Sequence, residues 1–187
     1  MPDPLSRAVS TSVFQWDASV PAIVTHVVSD MAQYGIFLAV LVVGLGALWA
    51  SRGAPRDRVV DTVLRLIPGV VAVAVALAAA HFIGQALPES RPFVVLGQQP
   101  LFAHAADASF PSDHVSGGMA MLAARVGRGT KAATVVIVAL VGAARVLAGI
   151  HWVDDIIGAA VIGLAIAWAV STAWSAVFAG RLNARTA

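Results

Sequence analysis

The chain has 187 residues, of which 59% are hydrophobic and only 12% are charged, and its mean hydropathy is +0.84. Water-soluble domains contain roughly 25% charged residues, so this composition excludes an ordinary soluble domain. It predicts an integral membrane protein with an all-α fold in a single domain, residues 1–187. There is no cysteine, which excludes disulfide bonds and thiolate chemistry.

The N-terminal segment, residues 1–30, differs from the rest because polar and apolar residues are mixed along it. Its opening residues, MPDPLSRAVS, lack the basic start and long apolar run of a signal peptide. Further along, four apolar residues fall roughly on one helical face: Val20, Ile23, Val27 and Val28. This pattern predicts an amphipathic helix that lies in the membrane interface.

Five uncharged runs follow, and we interpret each as a membrane span. A hydrocarbon core of about 30 Å requires ~20 helical residues, and three runs reach that length: Met31–Ala50, Leu66–Pro88 and Ile156–Gly180. The two shorter runs, Val115–Ala124 and Ala132–Ala144, have charged ends that can snorkel to the surface. The sequence therefore predicts a polytopic transmembrane helix bundle of about five spans over residues 31–180.

The basic residues predict the orientation of this bundle. With five spans, nine of them lie on one side: Arg52, Arg56, Arg58, Arg65, Arg125, Arg128, Lys131, Arg181 and Arg185. Only Arg7, Arg91 and Arg145 lie on the other side. The positive-inside rule makes the side with nine cytoplasmic, so we expect a cytoplasmic C-terminus. The isoelectric point of about 9.9 then reports orientation, and no nucleic-acid partner is needed to explain it.

Three polar segments fall at the predicted outer ends of the spans: ALPESRPF, FPSDH and ARVLAGIHWVDD. A helix bundle would bring these ends together. The converging residues are Arg91, Ser112, Asp113, His114, Arg145, His151, Asp154 and Asp155. Arginine binds phosphate oxygens in a bidentate manner, and histidine acts as a nucleophile or a proton donor near neutral pH. The set therefore predicts a site for a phosphate-bearing substrate.

Two local patterns sharpen this prediction. His151 and Asp155 are four residues apart, so in a helical turn the carboxylate can hold one ring nitrogen and leave the other free. Ser112 precedes an apolar run and is a candidate N-cap residue. The unpaired amides of the helix that follows would attract an anion.

At this point the residues resemble the type 2 phosphatidic acid phosphatase superfamily, whose motifs are KxxxxxxRP, PSGH and SRxxxxxHxxxD. The corresponding stretches here are GQALPESRP (84–92), PSDH (111–114) and ARVLAGIHWVDD (144–155). Their order and separation also fit, and the resemblance covers roughly residues 60–180. Three positions depart from the family pattern, because Gly84 replaces the lysine, Asp113 the glycine and Ala144 the serine.

RPF followed by FPSDH, in a short chain with an amphipathic N-terminus, is similar to the bacterial undecaprenyl-diphosphatase branch of this superfamily. That resemblance implies hydrolysis of undecaprenyl diphosphate to the monophosphate, which recycles the lipid carrier of cell-wall synthesis. It also implies a multi-pass protein of the bacterial cytoplasmic membrane with its active site on the extracytoplasmic side.

The resemblance further implies the roles of individual residues. His151 would attack the terminal phosphorus to form a phosphohistidine, Asp155 would orient it, and His114 would protonate the leaving group and then activate water. Substrate binding would fall to Arg91, Arg145, Ser112 and Asp113, although the role of Asp113 stays open. Because arginines and amides neutralise the charge, the resemblance implies no metal and no cofactor.

Several alternatives remain open at this stage. His114, His151 and Asp155 could be ligands of a metal, although two nearby arginines favour an anion. A non-enzymatic lipid-binding or transport protein would explain the hydrophobicity but does not require the His151–Asp155 spacing. Phosphatidylglycerophosphate and phosphatidic acid are alternative substrates. We expect Asp154 to be a helix-start carboxylate, and we expect structural or interfacial roles for three further histidines: His26, His81 and His104. The oligomeric state stays open.

Overall fold

The computed structural model describes residues 3–17, 20–53 and 57–183 and confirms the all-α prediction. Its helices are α1 (Pro4–Asp17), α2 (Ala22–Ala50), α3 (Arg58–Ala86), α4 (Pro92–Val95), α5 (Asp113–Ala120), α6 (Arg128–Leu147) and α7 (Val153–Asn183). A short 3-10 turn, Met121–Ala123, continues α5.

Four helices within the described part of the chain are long and apolar enough to cross a membrane: α2, α3, α6 and the stretch Val153–Val177 of α7. The predicted runs Met31–Ala50 and Ala132–Ala144 lie within α2 and α6, Ile156–Gly180 lies within α7, and Leu66–Pro88 extends two residues beyond the end of α3. Large apolar side chains stay exposed along them, including Phe37, Leu41 and Trp168. Such exposure suits lipid, since water would make it costly.

The start of the first span was predicted nine residues too late. Helix α2 begins at Ala22, directly after Pro21, so residues 22–30 are the first turns of the spanning helix. The polar residues His26 and Asp30 caused the error, because both are exposed on a helix that the apolar run Met31–Ala50 simply continues. Among residues 3–17 and 20–30, α1 is the one separate helix, and its position in the membrane interface stays a prediction.

The predicted span Val115–Ala124 is the one that forms no long helix. The chain nevertheless follows α3 from one end to the other. A methyl group placed on Gly84 would lie 3.3 Å from the carbonyl oxygen of Phe110, and the amide of Arg125 donates to the carbonyl of Arg65 at 2.9 Å. Residues 65 and 84 are about 29 Å apart along a helix. Residues 110–125 therefore pass alongside nearly the whole apolar part of α3.

Small residues allow α5 to sit in the middle of the bundle, in contact with α3, α6 and α7. Residues Val115–Ala120 are all buried. Gly117 faces Leu77 of α3, and Gly118 faces Val138 of α6. Because glycine lacks a Cβ, the backbones approach closely at these positions, as is common between membrane helices. A helix packed on every side needs no polar face, which explains the uncharged sequence after His114.

The basic residues near the loops gather at one end of the bundle. Arg58 donates to the carbonyl of Leu48 at 3.3 Å, and Arg65 donates to the carbonyl of Arg125 at 3.4 Å. Arg91 and Arg145 lie together at the opposite end, as the next subsection describes. The separation that the sequence predicted is therefore present for Arg58, Arg65 and Arg125, whereas Arg56 and Arg185 lie outside the described residues. The assignment of the basic end to the cytoplasm stays a prediction.

We expect Gly118→Ala to destabilise the bundle. The added methyl group would lie 2.7 Å from a methyl of Val138 and 3.1 Å from Ile36, and overpacking of this kind typically costs about 1–3 kcal/mol. Thermal unfolding of the purified protein in detergent should show a lower apparent melting temperature. Gly44→Ala is the matched control, because no atom lies within 4 Å of its added methyl group. Equal losses in both variants would contradict this account of the packing.

Candidate active site

The site is built around His151, which lies in the turn between α6 and α7 and is only 2% exposed. Gly149 has a φ of +74° and lets the chain reverse tightly after α6. His151 then points back into the end of the bundle. Its Nδ1 lies 3.3 Å from Oδ2 of Asp155, one turn further along the chain. The spacing of four residues thus produces the contact that the sequence predicted.

Asp155 combines a structural role with this contact. Its Oδ2 accepts a hydrogen bond from the backbone amide of Trp152 at 2.8 Å, which ties down the first turn of α7 in the manner of a capping box. The same oxygen accepts a hydrogen bond from the hydroxyl of Ser109. Asp155 is completely buried and is fixed by these two hydrogen bonds. Because the carboxylate is fixed, its contact with Nδ1 holds the imidazole of His151 in one orientation.

The other ring nitrogen of His151, Nε2, lies between two guanidinium groups. Nη1 of Arg91 is 3.3 Å away and Nη2 of Arg145 is 3.2 Å away. Arginine can only donate hydrogen bonds, so Nε2 must be the acceptor and the ring proton must reside on Nδ1, facing Asp155. The lone pair of Nε2 therefore points to the place where the two cations converge.

Burial lowers the pKa of His151 well below the usual value for histidine, and the positive charges of Arg145 and Arg91 lower it further. Both effects disfavour the imidazolium form. His151 is therefore neutral at physiological pH, which is the form that a nucleophile requires.

The two arginines are almost fully buried, at 5% exposure for Arg91 and 4% for Arg145. Backbone carbonyls satisfy part of their hydrogen bonding. Arg91 donates to Ile150 at 2.8 Å and to Ala108 at 3.1 Å, while Arg145 donates to Ala32 of α2 at 2.9 Å. Carbonyl groups orient the cations without neutralising them, so positive charge remains available for an anion.

The loop between α3 and α5 brings Arg91 to this place. Arg91 precedes Pro92, the first residue of α4, and the amides of Phe93 and Leu101 donate to Gly149 and Ala148 in the His151 turn. Trp152 adds a bond of 2.9 Å from its indole nitrogen to the carbonyl of Ser90. Two segments about sixty residues apart in sequence are thereby joined.

A cavity of about 380 Å³ opens in front of the two arginines. Its wall includes five of the residues predicted from sequence: Arg91, Asp113, His114, Arg145 and His151. His114 is half-buried at the start of α5, and Asp113 beside it is exposed. Both histidines of the predicted site therefore face one cavity at one end of the bundle, which is the arrangement on which the sequence-based hypothesis depended.

Ser112 and Asp154 occupy other positions. Ser112 is the N-cap residue of α5, as predicted, but its side chain makes no capping hydrogen bond. Its hydroxyl is buried, has no hydrogen-bond partner among the described residues and does not line the cavity. Asp154 belongs to the first turn of α7 and accepts a hydrogen bond of 2.5 Å from the hydroxyl of Ser6. It is a helix-start carboxylate, as the sequence predicted, and it also joins α7 to α1.

Two contributors were missed by sequence reasoning. Ser109 supports Asp155, as described above. Asp107 accepts a hydrogen bond of 2.9 Å from Nε of Arg91 and forms an ion pair with it. Burial is the largest single effect and raises the pKa of Asp107, but the hydrogen bond to Arg91 and the positive charge of Arg91, with smaller contributions, together lower the pKa overall. Both residues lie in an irregular loop without periodicity, and only the position of Ser109 just before FPSDH hints at its role.

The structure also shows what occupies the place of the family lysine. Gly84 is buried and packs against residues 108 and 110, so it faces the loop between α3 and α5. The next residue, Gln85, lines the cavity together with His81, and their side chains are 3.0 Å apart. His104 lines the same cavity. Two of the three histidines expected to be structural or interfacial therefore face the candidate site.

Helix α1 packs against the back of the His151 turn. In addition to the bond between Ser6 and Asp154, the ring of Phe14 covers Gly149, where a methyl group would lie 2.5 Å from the ring. Ser6 and Val13 are buried on the same face of α1. The amphipathic N-terminal helix therefore helps to position the turn that carries His151.

Within residues 3–17, 20–53 and 57–183, no cluster of three or more histidine, aspartate or glutamate side chains is arranged to hold a metal ion. The cations that converge on the cavity are instead arginines. Such donors stabilise the charge of a phosphoryl group directly.

Comparison with known proteins adds independent information. A family model described as PAP2 superfamily matches residues 65–179. The chain is similar to the undecaprenyl-diphosphatase BcrC of Bacillus subtilis (strain 168), with 39% identity over 80 residues. This match spans 42% of the chain and 42% of the length of BcrC.

Two solved structures are similar to the fold. One is a transmembrane PAP2 type phosphatidylglycerolphosphate phosphatase from Bacillus subtilis, with a TM-score of 0.61, 21% identity and coverage of 90% of this chain and 83% of that one. The other is LpxE from Aquifex aeolicus, with a TM-score of 0.63, 19% identity and coverage of 89% and 92%, respectively. At these identities the likeness concerns the fold alone.

We expect Ser6→Ala to weaken the attachment of α1 to the His151 turn. The variant removes a partly buried hydrogen bond to the Asp154 carboxylate, and hydrogen bonds to charged groups contribute about 1.5–3 kcal/mol. The apparent melting temperature should fall. Ser12→Ala on the same helix is the control, because Ser12 is exposed and bonds only to the carbonyl of Ala8. A Ser6→Ala variant as stable as Ser12→Ala would contradict the docking of α1.

We also expect His151 to make the protein less stable in mild acid. Its folded-state pKa is lowered, so below about pH 6.5 the unfolded chain binds a proton that the folded chain does not. Above about pH 6.5 the neutral His151 does not reduce the free energy of unfolding. Below about pH 6.5 the free energy of unfolding falls as the pH decreases, by up to about 1.4 kcal/mol per pH unit. Melting temperatures between pH 7.5 and 5 should decline more steeply for the wild type than for His151→Gln. His26→Gln, at an exposed position, should follow the wild type, and identical slopes for all three would contradict the lowered pKa.

Proposed function

This chain belongs to the PAP2 superfamily, and from that premise we propose that it is a membrane lipid phosphatase. The observation that carries the proposal is the position of Nε2 of His151, within 3.3 Å of Arg91 and 3.2 Å of Arg145 at the wall of one cavity. An unprotonated nitrogen aimed at two cations is suited to attack a phosphorus atom whose oxygens those cations bind.

In the proposed first step, the lone pair of Nε2 attacks the terminal phosphorus of the substrate. A bond forms between Nε2 and phosphorus, and the bond from phosphorus to the bridging oxygen breaks. The negative charge of the bound substrate favours the protonated form of His114, which donates a proton from the same cavity wall to the departing oxygen. Asp155 stabilises the positive charge that develops on the imidazole through its contact with Nδ1.

In the second step, water attacks the phosphohistidine. His114, now neutral, accepts a proton from the water molecule, and the bond between Nε2 and phosphorus breaks. Inorganic phosphate leaves and the lone pair returns to Nε2. Arg91 and Arg145 hold the phosphoryl oxygens throughout, and loss of one such preorganised donor typically lowers the rate by about 100-fold or more.

We further propose that the substrate is an isoprenoid diphosphate of the undecaprenyl type, which is converted to the monophosphate. The similarity to BcrC, which is named an undecaprenyl-diphosphatase, supports this choice. The location of the site supports it as well, because the cavity lies at the end of a lipid-exposed bundle. A charged headgroup can enter such a cavity while its apolar tail stays in the bilayer. We place this site on the extracytoplasmic side of a bacterial cytoplasmic membrane, with the C-terminus in the cytoplasm.

The proposal is tested by phosphate release from a substrate panel. The purified full-length protein is incubated in EDTA with undecaprenyl diphosphate, farnesyl diphosphate, phosphatidylglycerophosphate or phosphatidic acid. We expect the highest kcat/KM for undecaprenyl diphosphate, and we expect His151→Ala and His114→Ala to abolish release while the protein stays folded. Dependence on a metal would appear as loss of activity in EDTA.

His26→Ala is the matched control, because His26 is exposed on α2 and does not line the cavity. It should retain wild-type turnover. Turnover by His151→Ala at the wild-type rate would remove the nucleophile assignment. A higher kcat/KM for a glycerophospholipid would leave the phosphatase proposal intact and replace the isoprenoid substrate.

A further inference from the structure

Residues 110–125 cross the bundle with only the short helix α5 and the 3-10 turn, and we call this segment the short crossing. It leaves a second hollow at the end opposite the active site. Helix α5 and the 3-10 turn end at Ala123, and Ala124 already has an extended conformation with ψ of 142°. No helix therefore fills the space between α3 and α7 beyond this point. A cavity of about 350 Å³ lies there, and it is lined by residues from α3, α6, α7 and the segment Ala123–Val126.

Two cations face this hollow. Arg125 and Lys131 both line it, and none of the described residues on its wall is acidic. Ser171 and Ser175 line the opposite side and, being four residues apart, lie on one face of α7. Cations and hydroxyl groups around one space form a set of hydrogen-bond donors that suits the oxygens of a phosphate group.

The surroundings reinforce the positive charge. A smaller cavity of about 230 Å³ adjoins the hollow through Arg125 and Trp174, and it brings Arg65 and Asp61 nearby. Asp61 forms an ion pair of 2.6 Å with Arg65 and also interacts electrostatically with Arg125. This single carboxylate therefore faces two arginines, and the charge of Lys131 adds to the positive excess around the hollow.

The depth of the hollow indicates what kind of molecule reaches it. Trp174 lies on its wall, three residues before the end of the apolar stretch Val153–Val177. Tryptophan is enriched at the boundary between the hydrocarbon core and the headgroups. The hollow therefore lies at the level of the lipid headgroups, and basic pockets between transmembrane helices at this level bind anionic lipids.

We propose that this hollow binds the phosphate headgroup of an anionic phospholipid from the leaflet opposite the active site. Arg125 and Lys131 hold the phosphate, and the hydroxyl groups of Ser171 and Ser175 complete its hydrogen bonding. The lipid fills a gap that the short crossing leaves in the bundle and stabilises the contact between α3 and α7. This site is separate from the proposed reaction and does not depend on it.

The test measures lipid binding to the purified full-length protein in detergent. Short-chain phosphatidylglycerol, short-chain phosphatidylcholine and inorganic phosphate are titrated separately, and tryptophan fluorescence is recorded. We expect phosphatidylglycerol to change the fluorescence with saturation, and we expect Trp174→Phe to remove most of that change. The double variant Arg125→Gln/Lys131→Gln should bind at least about tenfold more weakly, since each charged hydrogen bond contributes at least a factor of about ten.

Arg128→Gln is the matched control, because Arg128 is an exposed cation between Arg125 and Lys131 that does not line the hollow. It should bind phosphatidylglycerol within about twofold of the wild type. An equal loss in Arg128→Gln would show diffuse charge attraction and overturn the site. Equal binding of phosphatidylcholine, or saturation by inorganic phosphate at the same concentration, would overturn the anionic lipid as its ligand.

Discussion

The contact of His151 with two arginines is the constraint on which the rest of this structure depends. Arg91 and Arg145 each lie within 3.3 Å of Nε2 of His151, and the three groups would repel each other if all were protonated. The conflict is resolved because His151 stays neutral and turns Nε2 towards the guanidiniums. Asp155 enforces this by holding Nδ1, and the amide of Trp152 and the hydroxyl of Ser109 hold Asp155 in turn. The orientation of a single imidazole thus requires four segments of the chain.

Burial of these charges determines how the surrounding loops are built. A buried charge is costly unless it is paired and hydrogen-bonded. Carbonyl groups from three separate segments, at Ala32, Ala108 and Ile150, accept hydrogen bonds from the arginines. Carbonyls compensate burial without removing net positive charge, whereas a second buried carboxylate would have cancelled it. Among the described carboxylates, Asp107 alone forms an ion pair with Arg91, and its side chain is 66% exposed, so this pairing is screened by water. The cavity consequently keeps its attraction for anions.

The short crossing at α5 has consequences at both ends of the bundle. At one end it begins with Asp113 and His114, so the helix start and a histidine face the cavity. At the other end it stops early and leaves the hollow beside Arg125. Glycines at positions 117 and 118 make this possible, because α3 and α6 approach close enough to bury residues Val115–Ala120 of α5. A longer helix would have filled the hollow.

The sequence by itself determined the membrane class, the all-α fold and five of the residues around the cavity: Arg91, Asp113, His114, Arg145 and His151. Hydropathy and the His151–Asp155 spacing are local properties, and each depends only on neighbours along the chain. Tertiary structure alone decided the roles of Ser109 and Asp107, the docking of α1 and the position of Ser112 away from the cavity. Those contacts join residues as far apart as Ser6 and Asp154, and their geometry follows from loop paths and helix packing that have no periodic signature. For the same reason the start of α2 was misjudged, since a helix that passes polar residues is recognised only when its packing against α6 is seen.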